Sequence, residues 1–155
     1  MSFRSEATFS AIADIDKINF LIAEFLDSVH FTREEGSYFP CVATYDHLNK
    51  EIRALLIEHE FSRNIAKQIS ENLKLWKKGQ DKREPVARFL RTYSIFLIDH
   101  MQKEEQFFEK AEKEILSREE EQEMFEQFQS ISAITEKATS LLEDINYLES
   151  QDWAK

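Results

Sequence analysis

The sequence predicts an all-α fold, an antiparallel up-down four-helix bundle, and three observations carry that expectation. Only two Gly and two Pro occur in 155 residues, so turn chemistry is scarce and the helices must be few and long. Apolar residues recur at spacings of three, four and seven over segments of about 30 residues, the period of a helix with one buried face. The breaks between these segments are short, as loops between antiparallel neighbours are. A chain of this length buries a core of its own, so one domain is expected over 1–155.

The first helix is expected over 8–38, capped by Thr8 or Ser10, with Ile12, Ile15, Phe20, Ile22, Phe25 and Leu26 as its apolar face. His30 lies four residues beyond Leu26, at the edge of that face. Gly36 weakens the helix and Phe39-Pro40 marks its exit, since a proline ring disturbs a continuing helix. The second helix spans 44–77, and its stripe of Leu48, Ile52, Leu55, His59, Ala66 and Ile69 turns His59 inward. A charged loop over 77–85 ends in Pro85, which suits a first helical turn and opens the third helix, 85–115. Its stripe reads Phe89, Tyr93, Phe96, His100, Glu104, Phe107, Ala111. Ser117-Arg118-Glu119-Glu120 has the spacing of a capping box and starts the fourth helix, 118–148. Phe125, Phe128, Ile131, Ile134, Leu141, Leu142, Ile145 and Leu148 supply its apolar side.

Composition narrows the function. A net charge of −10 repels phosphate backbones and anionic membrane surfaces, so nucleic acid and membranes are not expected partners. No segment approaches the roughly 20 apolar residues of a membrane span. The single cysteine, Cys41, excludes an internal disulfide, and no apolar run follows Arg4 to make a secretory signal, so a cytoplasmic protein is expected. The 13 Phe imply a core thick with rings.

Two matched stretches carry the chemistry. His30-Phe31-Thr32-Arg33-Glu34-Glu35 and His100-Met101-Gln102-Lys103-Glu104-Glu105 both read His, two residues, a base, then two Glu. Residues four apart share a helix face, so each His stands beside the first Glu of its stretch. With the inward His59, the candidate metal ligands are His30, Glu34, His59, His100 and Glu104, a donor set that suits iron, manganese or zinc. The competing explanation is accident: His-x-x-x-Glu is frequent in a Glu-rich helical chain, and His47-Leu48-Asn49-Lys50-Glu51 is a third instance. His47 is set aside by geometry. Twelve helical residues place it about 18 Å along and 120° around the axis from His59.

Taken together, Leu55-Leu56-Ile57-Glu58-His59-Glu60-Phe61-Ser62-Arg63, the later Asp99-His100-Met101-Gln102-Lys103-Glu104-Glu105 and the run from His30 to Pro40 resemble the hemerythrin-like, or HHE cation-binding, domain. The resemblance covers about residues 8 to 130 and is to bacterial variants with one His on the family's third helix, where Arg63 stands in place of a further His. It implies a non-haem di-iron centre bridged by carboxylates, with Glu34 and Glu104 as the bridges. The family's first helix carries another His. His59 precedes His100 by 41 residues, and the same offset before His30 falls ahead of Met1, so that helix is expected to be missing; the C-terminal helix filling its slot is favoured over a partner subunit that supplies the wall and over an incomplete site that binds metal weakly. Glu143 and Asp144 on that helix are more simply read as solvated.

The function expected is a metal-binding protein that senses, stores or handles dioxygen, nitric oxide or iron. A pocket lined by Phe89, Tyr93, Phe96 and Phe107 would keep water from its centre. Two alternatives stand beside it: a metal-free helical interaction module, and a di-iron stress-repair enzyme. A homodimer that completes the bundle is the partner expected besides a diatomic ligand.

Overall fold

The computed structural model describes residues 3–114, 117–129 and 133–154, with side chains described for 11–113, 117–120, 122, 123, 126 and 139–154. All regular structure among the described residues is helical: α1 (Phe3–Leu21), α2 (Phe39–Val42), α3 (Asn49–Lys77), α4 (Arg83–Glu114), α5 (Arg118–Gln129) and α6 (Ala133–Ser150). The all-α bundle expected from the sequence is what the chain forms. None of its helices, among the described residues, is long and apolar enough to cross a membrane.

The first helix differs most from expectation. It is already helical at Phe3, with neither Gly nor Pro to interrupt residues 3–10, and Thr8 and Ser10 lie inside it rather than at its cap. From Ile22 to Phe31 and again from Glu34 to Tyr38 the winding is π-helical. The exit expected at Phe39-Pro40 is therefore corrected: helical backbone continues through α2 to Val42. Pro40 sits in the first turn of α2, where no N–H is required of it, and the wide π turn ahead relieves the clash its ring would make with an α-helical carbonyl.

Thr44 does not open the next helix. Its hydroxyl donates back to Cys41 O at 2.9 Å, Tyr45 is extended, and a short 3₁₀ turn at Asp46–Leu48 precedes α3. α3 ends in a Schellman motif, Gly79 N donating to Trp76 O at 2.9 Å and Gln80 N to Leu75 O at 3.1 Å. Gly79 takes the left-handed φ of 87° that this ending needs. The capping box forms as expected: Glu120 N donates to Ser117 Oγ at 3.2 Å and Ser117 N to Glu120 Oε2 at 2.9 Å. Of the fourth helix expected over 118–148, the described residues form α5 and α6, and residues 130–132 lie outside them. Of its expected apolar side, Leu141 and Leu148 are buried and Leu142 is exposed, while the side chains of Phe125, Phe128, Ile131 and Ile134 lie outside the described residues.

Cross-helix contacts set the directions. Lys77 pairs with Asp16 at one end of α3 and Arg63 with Asp27 further along, so the first helix and α3 are antiparallel. Glu58 meets Lys103 and Glu51 meets Lys110, so α3 and α4 are antiparallel too. The C-terminal α6 packs antiparallel on the first helix: Lys17 pairs with Asp144, and the buried Asp14 accepts from Tyr147 Oη at 3.1 Å and Trp153 Nε1 at 2.8 Å. Two apolar clusters fill the interior. One joins Phe39, Val42, Leu48, Ile52, Leu55, Phe107 and Ala111; the other joins Ile22, Ile65, Ile69 and Tyr93. His59 and His100 fall between them on α3 and α4, so a polar layer divides the core.

Candidate metal centre

Each expected ligand is delivered by one of three long helical stretches. The π-wound first helix brings His30 and Glu34, α3 brings His59, and α4 brings His100 and Glu104. His59 and His100 are fully buried, and Glu34 and Glu104 are each 4% exposed; only His30 reaches solvent, its side chain 38% exposed. Ionisable groups at such depth are costly unless something compensates them.

The five side chains form two groups that share one carboxylate. The ligand atoms of His59, His100 and Glu104 lie within 4.8 Å of one another, and so do those of His30, Glu34 and Glu104. Glu104 Oε1 is 2.7 Å from His100 Nε2 and 3.3 Å from His59 Nε2, while its Oε2 is 3.3 Å from His30 Nε2. Glu34 spans the groups as well, with Oε1 3.2 Å from His30 Nε2 and Oε2 3.3 Å from His59 Nε2.

Despite those distances, both Glu34 oxygens and His100 Nε2 are buried without a hydrogen bond. Buried carboxylate and imidazole atoms that converge without hydrogen-bond partners of their own are what a cation satisfies, so the residues present fit a metal. The titration behaviour agrees. Burial works to raise the Glu104 carboxyl, but the imidazoles of His100, His30 and His59 gathered around it hold it well below the usual carboxylate range. Burial opposes charge on His59 too, yet Glu104, Glu34 and Glu35 push it up to about 9. His30 is raised chiefly by its hydrogen bond to Glu104, and burial raises Glu34. The cluster calls for positive charge in its middle.

Two further carboxylates, which the sequence pattern does not single out, orient the buried histidines. Glu35 Oε1 accepts from His59 Nδ1 at 2.7 Å, and Glu58 Oε2 accepts from His100 Nδ1 at 2.7 Å. Each holds its imidazole in the tautomer that aims Nε2 at the shared carboxylates. Their signal was adjacency, Glu34-Glu35 and Glu58-His59, but which His each serves depends on helix rotation. The two matched stretches are thereby unequal: Glu35 reaches a histidine, whereas Glu105 lines an outer cleft.

Rings wall the cluster. His59 is sandwiched between Phe31, stacked at 4.0 Å, and Phe39, stacked at 5.8 Å, and Phe96 stacks on His100 at 5.3 Å. Of the expected ring pocket, Phe96 does stand against His100, but Phe89, Tyr93 and Phe107 pack into the apolar clusters, where Tyr93 Oη bonds Ser62 Oγ at 3.0 Å. The cleft beside the cluster, about 860 Å³, is instead lined by Phe25, Phe31, Leu97, Met101 and Phe108, with His30 and Glu104 in its wall. His47 is exposed in the turn before α3 and belongs to neither group, as its spacing required.

Comparison with known proteins agrees with this geometry. No curated protein and no solved structure matches the chain. The family model for the hemerythrin HHE cation binding domain matches residues 3–111, a span that contains all five candidate ligands and both orienting carboxylates. The chain belongs to the hemerythrin HHE cation-binding family.

Proposed function

We propose that this protein holds two non-haem iron ions, one between His59, His100 and Glu104 and one between His30, Glu34 and Glu104, and uses them to sense, store or handle dioxygen, nitric oxide or iron. The observation that carries the reading is the position of Glu104, whose two oxygens face different histidine groups. Manganese or zinc would suit the same donors. Bound there, the ions supply redox and Lewis-acid chemistry to a small ligand.

The chain's own residues prepare that chemistry. Glu35 and Glu58 hold His59 and His100 in position, so binding requires little rearrangement of either ring. Phe31, Phe39 and Phe96 exclude water from the His59 and His100 side. The His30 side opens on the cleft, whose mostly apolar lining also carries Glu105, Glu109 and Glu112, and that cleft gives a small molecule a route to the cluster.

The test is anaerobic loading with ferrous iron, metal quantification, and an optical spectrum after air is admitted. About two irons per chain, with oxo-bridge charge-transfer bands, is the expected result. Because Glu104 serves both groups, Glu104→Ala should lose both irons, whereas His30→Ala should retain about one, in the buried His59 and His100 group. A folded wild-type protein that retains neither iron nor manganese would sink the proposal in favour of a metal-free interaction module.

A further inference from the structure

Arg63 stands four residues beyond His59, one turn along the same face of α3. Its guanidinium bonds three carboxylates: Nε donates to Asp27 Oδ1 at 2.7 Å, Nη2 to Glu35 Oε1 at 2.9 Å and Nη1 to Glu60 Oε1 at 2.8 Å. The Glu35 contact is the consequential one. Oε1 of Glu35 is the same oxygen that accepts from His59 Nδ1 at 2.7 Å, so one atom joins the guanidinium to the imidazole. Arg63 also touches His59's other support, its guanidinium carbon 5.9 Å from the centre of the Phe31 ring that stacks on His59.

We infer that Arg63 is a positioning residue for His59, acting through Glu35, and that it sets how strongly His59 donates to the metal. The inference rests on the proposed metal centre and deepens it. A carboxylate that accepts from Nδ1–H makes the imidazole a more basic ligand, to a degree that depends on how much charge its oxygen has left to give. Arg63 draws on that oxygen, so it moderates His59 while restraining Glu35, whose side chain is 28% exposed and would otherwise be free to swing. His100 provides the internal contrast. There the cation, Lys103, binds Glu58 Oε1 at 2.6 Å, and His100 has Oε2 to itself. The two histidines of the buried group are therefore unequal donors.

Removing the two members of the relay should move the metal in opposite directions. With Arg63 gone, Glu35 accepts more strongly, His59 donates more strongly, and the oxidised centre is favoured, so the midpoint potential falls. With Glu35 neutral, the reverse holds and the potential rises. The full chain would be loaded anaerobically with ferrous iron as wild type, Arg63→Leu, Arg63→Lys and Glu35→Gln, then titrated spectroelectrochemically and challenged with a chelator. Arg63→Leu should lower the midpoint, Glu35→Gln should raise it, and Arg63→Lys, which keeps a cation on Glu35, should lie nearest wild type. Iron retention should weaken about 10–100-fold in Glu35→Gln, which loses the carboxylate that orients His59. Equal potentials, or shifts of the same sign in both, would overturn the relay while leaving the metal centre standing. A wild type that holds no iron would overturn the centre and the relay together. If circular dichroism shows Arg63→Leu unfolded, Glu35→Gln against Arg63→Lys carries the comparison, and equal midpoints in those two would overturn the relay.

Discussion

At the scale of single residues, the site is built from side chains whose burial makes sense only together. Glu34, Glu104, His59 and His100 are all within a few percent of complete burial, at a depth where each alone would be strongly destabilising. The five candidate ligands were legible in the sequence, because a four-residue spacing puts His and Glu on one face and an apolar stripe says which way His59 points. Phe31 was not. It is 1% exposed and stacks on His59 at 4.0 Å, yet the sequence pattern ranks it only as the residue after a ligand. Phe31→Ala should cost the metal-free protein about 3–5 kcal/mol, the range for a fully buried ring, read as a fall in urea midpoint at constant slope. A loss below about 1 kcal/mol would mean that the ring's site collapses on truncation and that Phe31 is not what holds His59 in place.

At the scale of the element, winding explains why Phe31 was missed. Ile22 and Phe31 are nine residues apart, which in an α-helix puts them about 180° from each other, and yet both are buried. The π winding of Ile22–Phe31 takes more residues per turn and brings both onto the inner face. The same device over Glu34–Tyr38 buries Glu34 and leads the chain past Pro40, which a reading in α-helical period takes as a stop. Turn chemistry was more transparent. Ser117 and Glu120 cap reciprocally as their spacing required, and Gly79 ends α3 at positive φ. A Cβ on Gly79 would meet nothing within 4 Å, so Gly79→Ala isolates the backbone strain. It should destabilise the protein by about 1 kcal/mol, measured by denaturant titration, with metal binding unchanged because the turn lies far along α3 from His59.

At the scale of the whole molecule, the site ties together three helical stretches that otherwise meet through two separate apolar clusters. A cation held by all three stabilises the folded chain alone, by about 2.7 kcal/mol at a free concentration one hundred times its dissociation constant. Stripping the metal with a chelator should therefore lower Tm by about 5–10 °C, and restoring it should recover the difference. An unchanged Tm would mean that no ion joins the helices. What the sequence determined by itself is the all-α class, the long helices, the inward His59 and the two His-x-x-x-Glu pairs, because periodicity and four-residue spacing are properties of one helix at a time. What only the tertiary structure decided is which orienting carboxylate serves which histidine: Glu35 on His59 under Arg63, and Glu58 on His100. Those pairings cross from one helix to another. They depend on the rotation of each helix about its axis, which the π turns reset and which no local pattern records.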